Sequence, residues 1–329
     1  MEIMKAIIYK DGCKADELKF GELIKPELLP KQILVKVIAA GINRADILQR
    51  EGKYPPPKGA SQILGLEISG IVDEIGTEVQ RWKKGDQVFG LIPGGGYAEY
   101  AAIHEDMAMH VPENFSFTDA AAIPEVFLTA YQALVYYGKI QNENTVLIHA
   151  GASGVGTAAI QIAKHFAANI IITASAEKHK TCIDLGAEKA IDYKTEDFYD
   201  SVINYTNNEG VDIVIDFIGA PYFQRNLNCL KTDGKLIMLS QLGGFNVSEL
   251  SIRQMVSKRL SIIGSALRSR NIEYQIKLVW EFTEFAMGKF KTGDLKPVID
   301  KVFDWSNVSE AHKYMEANKN IGKIILKIL

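Results

Sequence analysis

Thr145-Val-Leu-Ile-His149-Ala-Gly151-Ala-Ser153-Gly154-Val-Gly156 sets an aliphatic, β-branched run directly before a glycine cluster, and residues 157–168 read as a helix behind it. A buried-type strand, a glycine turn and a helix in that order form the local geometry that holds a dinucleotide pyrophosphate. Glycine permits the tight turn and close helix-strand packing, while backbone N–H groups at the helix start face the phosphates. Ser153 holds the second glycine position, so the loop is a variant. Taken alone, the cluster also fits a plain glycine turn before a helix.

Around this stretch, residues 126–264 alternate short apolar runs with helical segments. Strands are expected at 145–149, 170–174, 189–192, 212–217, 235–240 and 260–264. Six strands with crossover helices make a doubly wound parallel sheet. Before residue 125 the texture is strand-like, with runs at 33–39, 68–75, 86–91 and 97–102 and breakers at Pro55-Pro56-Pro57, Lys84-Gly85-Asp86 and Gly94-Gly95-Gly96. Residues 1–10 read as a further strand. After Arg270 come a long amphipathic helix at 272–290, a strand at 295–303, a helix at 308–317 and a strand at 321–329. The expected architecture is α/β: a mostly β domain, 1–125 and 266–329, interrupted by a doubly wound domain, 126–265.

An acid about 20 residues beyond the glycine loop, at the end of the second strand, binds the ribose 2′-hydroxyl of NAD. This chain places Thr173-Ala174-Ser175 there, followed by Glu177, Lys178, His179 and Lys180. A small hydroxyl with a lysine three residues on suits a 2′-phosphate, so NADPH is the expected cofactor. Glu177 argues the other way, and a solvated helix face also accounts for the Lys178 cluster.

The chain has 329 residues, 37 basic against 40 acidic, and a formal charge of −3. No run of one sign marks a nucleic-acid binder. Cys13, Cys182 and Cys229 are far apart and odd in number, which excludes a disulfide framework and a four-cysteine zinc knot. The longest apolar tract, 120–137, is interrupted by Pro124, Glu125, Thr129 and Gln132, so no membrane span is expected, and the protein reads as cytoplasmic.

Two other enzyme classes fail on spacing. A Tyr and a Lys four apart, the pair of short-chain reductases, occur only as Tyr54 and Lys58, and the proline triplet between them forbids the helical turn they need. The run 151–154 does not satisfy G-x-S-x-G. The histidines, at 104, 110, 149, 165, 179 and 312, contain no HExxH, and His104-Glu105-Asp106 reads as a surface turn.

The whole chain resembles the medium-chain dehydrogenases/reductases, in which a GroES-like β domain surrounds a Rossmann domain. Gly41-Ile-Asn43-Arg44-Ala45-Asp46, Gly65-Leu66-Glu67, Leu91-Ile-Pro-Gly-Gly-Gly96 and the 149–156 loop resemble its zinc-independent quinone oxidoreductase, zeta-crystallin-like branch. Runs 43–50, 121–125, 267–270 and 311–323 resemble one subgroup of that branch. Zinc alcohol dehydrogenases of the superfamily carry a Cys where Asn43 stands and Gly-His-Glu where Gly65-Leu66-Glu67 stands, so the resemblance implies no zinc and no metal Lewis acid.

The resemblance further implies that Asn43 and Thr129 flank the nicotinamide and that Gly151, Ala152, Ser153, Gly154, Val155 and Gly156 hold the pyrophosphate. Ser175, Lys178 and Tyr193 would surround the 2′-phosphate. Gly219, Leu242, Leu267, Asn320 and Lys323 would make further cofactor contacts. Asn43 and Tyr54 are the expected catalytic-site side chains, Tyr54 at the cleft mouth or simply packed on the prolines. The expected activity is NADPH-dependent quinone reduction by a homodimer paired through 260–264, an edge that would otherwise invite aggregation. An alkenal or enone reductase is the near alternative, and an NADPH-binding, RNA-binding or crystallin-like protein with little turnover is the distant one. No Tyr-Lys pair or His acid is expected near Asn43, so no side chain is expected to be an indispensable proton donor.

Overall fold

The computed structural model describes residues 2–248 and 250–329. The chain divides into two compact units. One runs through Leu128 and resumes at Arg268, and the other is Thr129–Leu267.

The first unit carries strands β1 (Ile3–Ile8), β2 (Lys19–Ile24), β3 (Gln32–Ile42), β4 (Glu67–Ile75), β5 (Gln87–Leu91), β6 (Tyr100–His104) and β7 (Ala108–His110). The second unit carries β8 (Thr145–Ile148), β9 (Asn169–Ala174), β10 (Lys189–Asp192), β11 (Val211–Asp216), β12 (Leu230–Met238) and β13 (Ser261–Gly264). β14 (Ile299–Asp304) and β15 (Lys323–Lys327) belong to the first unit again.

β1 and β2 form an antiparallel pair, and the main sheet runs β14-β15-β3-β4-β5-β7, with β6 also pairing β3. β3 is the hub. Ile33, Leu34, Val35, Val37, Ala39, Ala40 and Ile42 along it are all buried, so both faces of the strand are covered over much of its length. Three pairings at its end matter for the site. β15 lies antiparallel with Ile324 opposite Ile42, β4 sets Ile68 opposite Ala40, and β5 sets Leu91 opposite Glu67. Lys323, Asn43 and Glu67 are thereby brought to one corner.

The second unit is a six-stranded parallel sheet in the order β10-β9-β8-β11-β12-β13. Numbered within the unit this is 3-2-1-4-5-6, the doubly wound order, whose ligand crevice lies where the strand order reverses, between β8 and β11. Leu147, Ile171, Val214 and Leu236 lie fully buried in the central strands, consistent with helices covering both faces. β13 is an edge strand with Ser261 and Gly264 exposed.

The main departures from the sequence reading lie at element ends. The helix behind the glycine loop spans Gly154–His165, beginning three residues before position 157, because Ser153 caps it by accepting the Gly156 N–H at 3.0 Å. It stops before Ala167, which has φ of 48°. Position 97 is not strand: Tyr97 is pinned by backbone bonds to Leu64 and Ile7, and β6 begins at Tyr100. The strand expected from 295 begins at Ile299, since the Leu295 N–H closes the preceding helix on Lys289 and Pro297 follows. His104-Glu105-Asp106 is more than a surface turn: Glu105 is buried and accepts the backbone N–H groups of Gln80 and Arg81. Among the described residues no helix is long and apolar enough to cross a membrane.

Candidate active site

In the first unit a network of buried charges grows from the end of β3. Lys323 Nζ donates to Glu67 Oε1 at 2.6 Å, to Asn43 Oδ1 at 2.7 Å and to the Ile42 carbonyl at 2.8 Å. Its three ammonium donors are thus matched by three oxygens. Asn43 Nδ2 donates to Glu67 Oε1 at 2.8 Å. The amide orientation follows from chemistry, since an ammonium has no acceptor and a carboxylate no donor. Gly41 is required beside them, because a Cβ there would lie 2.2 Å from Glu67 Oε1. The other carboxylate oxygen, Glu67 Oε2, accepts the Glu125 backbone N–H at 2.8 Å.

A second layer steadies the first. The Asn43 N–H donates to Asp46 Oδ2 at 2.7 Å, Asp46 Oδ1 accepts the Gly65 N–H at 3.0 Å, and the Tyr97 hydroxyl donates to Asp46 Oδ2 at 3.1 Å. Burial pushes the Asp46 carboxyl up to about 6. His312, beside Tyr97 and Arg50, is driven down to about 3 by burial and by the Arg50 charge, so it is neutral.

Leu66, Leu91, Ile92, Pro93, Glu125, Arg268 and Gln275 line a small recess in this unit, with room on the scale of a single oxygen atom. Arg268 is held there by the Pro93 carbonyl, at 2.9 Å from Nε and 2.6 Å from Nη2, and by Gln49 Oε1 at 2.8 Å. Its guanidinium lies 5.4 Å from the centre of the Tyr54 ring, within cation-π range, so Tyr54 packs on a cation. Arg268 Nη1 is buried without a hydrogen-bond partner among the described residues. The Glu125 carboxyl is pushed up to about 7, first by desolvation and then by the Glu67 charge. An acid of another kind, a glutamate, therefore stands in the Asn43 neighbourhood, where the sequence reading weighed only Tyr-Lys and His donors.

The second unit builds its part from backbone. The Gly151 N–H bonds the Thr173 carbonyl at 2.9 Å, and a Cβ on Gly156 would lie 2.4 Å from the Ala150 carbonyl oxygen. The loop can close on the sheet only with glycine there. Ser153 Oγ takes the Gly156 N–H, and the N–H groups of Gly154 and Val155, in the first turn ahead of the regular helical bonds, are the donors a pyrophosphate needs. A dinucleotide therefore fits this loop. His149 is a pin, not a ligand: Nε2 and Nδ1 lie 2.7 Å and 3.0 Å from Asn226 Oδ1 and Thr173 Oγ1, and burial lowers it to about 4.

Ser175 is buried, and its hydroxyl donates to Glu177 Oε1 at 2.7 Å, with Lys194 Nζ 3.7 Å from the same oxygen. The Lys178 N–H bonds the Ser175 carbonyl at 2.9 Å. Tyr193 and Leu242 are about half exposed. The Gly219 N–H, just after β11, donates to Asp216 Oδ2 at 2.9 Å. Ala152 is buried in the loop, Val155 lies in the first helical turn, Thr129 is partly exposed, and Leu267 is buried. In the first unit, Asn320 Nδ2 donates to the Gly322 carbonyl at 2.8 Å, and Lys323 is committed to the buried network. Glu125 and Arg268 are the functional side chains that sequence reasoning missed. Both stand in runs that carried the resemblance, but no local spacing ties them to Glu67, which lies 58 residues from Glu125.

Two family models match this chain: the alcohol dehydrogenase GroES-like domain over residues 29–113 and the zinc-binding dehydrogenase over residues 154–283. A human quinone oxidoreductase is 31% identical over 306 residues, covering 91% of this chain and 90% of that protein. A synaptic vesicle membrane protein VAT-1 homolog from Danio rerio is 32% identical over 92% of this chain, which spans 65% of that protein's length. Among solved structures, the quinone oxidoreductase from Coxiella burnetii matches with a TM-score of 0.83 and 31% identity, and the CurK enoyl reductase with 0.88 and 28%, each over all of both chains.

Zinc, which one family model's description implies, does not fit this donor set. Leu66 has no ligand atom, and the oxygens Asn43 Oδ1 and Glu67 Oε1 already face the Lys323 ammonium. Among the described residues no group of three or more His, Cys, Asp or Glu side chains is placed to hold a metal ion.

Proposed function

The chain belongs to the medium-chain dehydrogenase/reductase superfamily, in its quinone oxidoreductase and VAT-1-like branch, and from that premise we propose that it is an NADPH-dependent, zinc-independent quinone reductase. The observation that carries this reading is the Lys323 ammonium lying between Asn43 and Glu67, a fixed protein cation where the zinc enzymes of the superfamily have a metal ligand set. A conjugated quinone needs no external Lewis acid, because its own oxygens delocalise the arriving electron pair. Runs 43–50, 121–125, 267–270 and 311–323 resemble the tumour-suppressor-inducible quinone oxidoreductases, which supports the same substrate class.

When bound, the nicotinamide supplies the hydride. The protein's share is positioning: the 151–156 loop and the helix behind it hold the pyrophosphate, and the Lys323-Glu67 pair locks the Asn43 amide. Tyr54, packed under Arg268, shapes the approach. Ser175, Lys178 and Tyr193 form the 2′-phosphate side of the site, with Lys194 adding positive charge and Glu177 opposing it. The protein works in the cytoplasm as a homodimer paired through β13, whose exposed edge is a ready strand partner.

Steady-state reduction of an ortho-naphthoquinone with NADPH and with NADH tests the assignment. Turnover with NADPH preferred is the expected result, and no turnover with either cofactor overturns it. Tyr54→Phe should cost less than the 10² to 10⁴-fold that accompanies loss of a general acid. Light scattering should give about twice 36.4 kDa. Reduction of an activated carbon-carbon double bond is the second reading. It is favoured by the acid in the recess and by likeness to an enoyl reductase.

A further inference from the structure

The Glu125 recess has features that positioning alone does not require. It sets one carboxyl beside one guanidinium, between the apolar walls of Leu66, Leu91 and Pro93. The acid is anchored through its own backbone N–H, on Glu67, so its carboxyl is left free of that bond. Arg268 uses Nε and Nη2 on Pro93 and Gln49 and leaves the buried Nη1 without a partner among the described residues. A buried donor without an acceptor is costly, and an acceptor atom of a ligand would satisfy it. A carbonyl oxygen is an acceptor of the right kind.

Resting on the reductase reading above, we propose that this recess receives the oxygen of a conjugated carbonyl, that Arg268 donates to it, and that Glu125 delivers the proton that completes reduction. The step balances as follows. Hydride, from the reduced nicotinamide, forms a C–H bond at the conjugated carbon and moves an electron pair onto the carbonyl oxygen. The Glu125 O–H bond breaks and its proton passes to that oxygen, giving an enol; from a quinone the adduct then loses a proton from the new C–H carbon to water while its second carbonyl oxygen gains one, giving the hydroquinone. The Glu125 carboxylate recovers its proton from water, and an enol becomes the ketone or aldehyde in solvent.

The charged and titratable groups around Glu125 are Glu67 and Asp46, which keep the proton on it, Lys323 and Arg268, which favour its loss, and Tyr54. The balance leaves Glu125 near about 7, where an acid can both give and regain a proton at neutral pH. An enolate is far more basic than a hydroquinone anion and depends more on a donor placed in advance.

The test compares wild type with Glu125→Gln on two probes, methyl vinyl ketone and ortho-naphthoquinone. The enone kcat/KM should fall by roughly 10²-fold or more and the quinone value by less than about tenfold. The loss of wild-type enone activity above pH about 7 should disappear in the variant. A second readout needs neither cofactor nor turnover: infrared titration of the resting protein should show a protonated carboxyl band that fades near pH 7 and is absent from Glu125→Gln. Failure of the wild type to reduce either probe would overturn the parent reading. A working wild type with equal losses on both probes, or with none, would overturn proton delivery alone. So would a resting protein that shows no protonated carboxyl at pH 6, a measurement that stands whether or not the variant folds well.

Discussion

The two units build their candidate sites from opposite materials. The second unit does it with one continuous run, 145–165, using a glycine turn, a serine cap and backbone donors. The first unit does it with buried charges drawn from β4, the start of the helix Pro124–Tyr131, and β15, gathered at the end of β3. A site of backbone donors carries little net charge and tolerates solvent. A site of buried charges is rigid only while every member is paired, since removing one partner leaves another ion in a medium that cannot solvate it.

Lys323→Ala should therefore be the most damaging single change, about 3–5 kcal/mol by urea unfolding, because Glu67 is then buried without its cation. Adding Glu67→Gln to it should recover part of that loss. A double variant no more stable than Lys323→Ala would mean that the pair's charge is not what holds the corner.

The pH dependence gives the next largest effect, with opposite signs for two marker residues. His149 is depressed from 6.5 to about 4, so its stabilising neutral form is present above pH 6.5 and its contribution is lost as pH falls toward 4. Glu125 is raised from 4.5 to about 7, so its contribution is full below pH 4.5 and is lost as pH rises through 7. Each is worth up to about 3 kcal/mol. His312 shares the sign of His149, while Asp46 and Asp216 share that of Glu125. Unfolding midpoints at pH 4.5, 6 and 7.5 should show His149→Phe flattening the acid limb and Glu125→Gln the neutral one. Unchanged slopes would refute the assignments.

In the backbone-built site, Gly156→Ala should destabilise by about 1–3 kcal/mol through its clash with Ala150. Ser153→Ala should cost about 1 kcal/mol through the lost cap. Both are read by thermal unfolding, and both should weaken NADPH binding. A Gly156→Ala protein as stable as wild type would show that the loop has slack the geometry denies. The smallest effect is expected at Glu177. Glu177→Gln frees the Ser175 hydroxyl and removes a negative charge, raising the NADPH to NADH affinity ratio by roughly threefold to tenfold. A ratio that falls instead would place the 2′-phosphate elsewhere.

This contrast also explains what was legible in the sequence. The 145–165 run announces itself because strand, turn, cap and helix are neighbours along the chain, and the parallel sheet follows from repetition of the pattern. The first unit's strands show through their alternation. Its charged corner does not, because Asn43, Glu67, Glu125 and Lys323 meet only after β3 has paired with both β4 and β15. Lys323 entered as a cofactor contact through resemblance, and its geometry shows in addition that it is the cation of the buried corner. Arg268 follows the second unit's final residue and gives no periodic signal, although it lines the recess with Glu125.

Glu67 leaves the ribosome 256 residues ahead of Lys323. Until β15 has been made and has slid in beside β3, the nascent β domain has no ammonium to neutralise that carboxylate, whereas every residue of the doubly wound sheet is already available. The nucleotide-binding unit can thus mature first, since domains generally fold as units in the order in which they emerge. The late strand then acts as the bolt that closes the earlier one, and a ribosome halted shortly before residue 323 would carry a finished doubly wound sheet tethered to a β domain still lacking its cation.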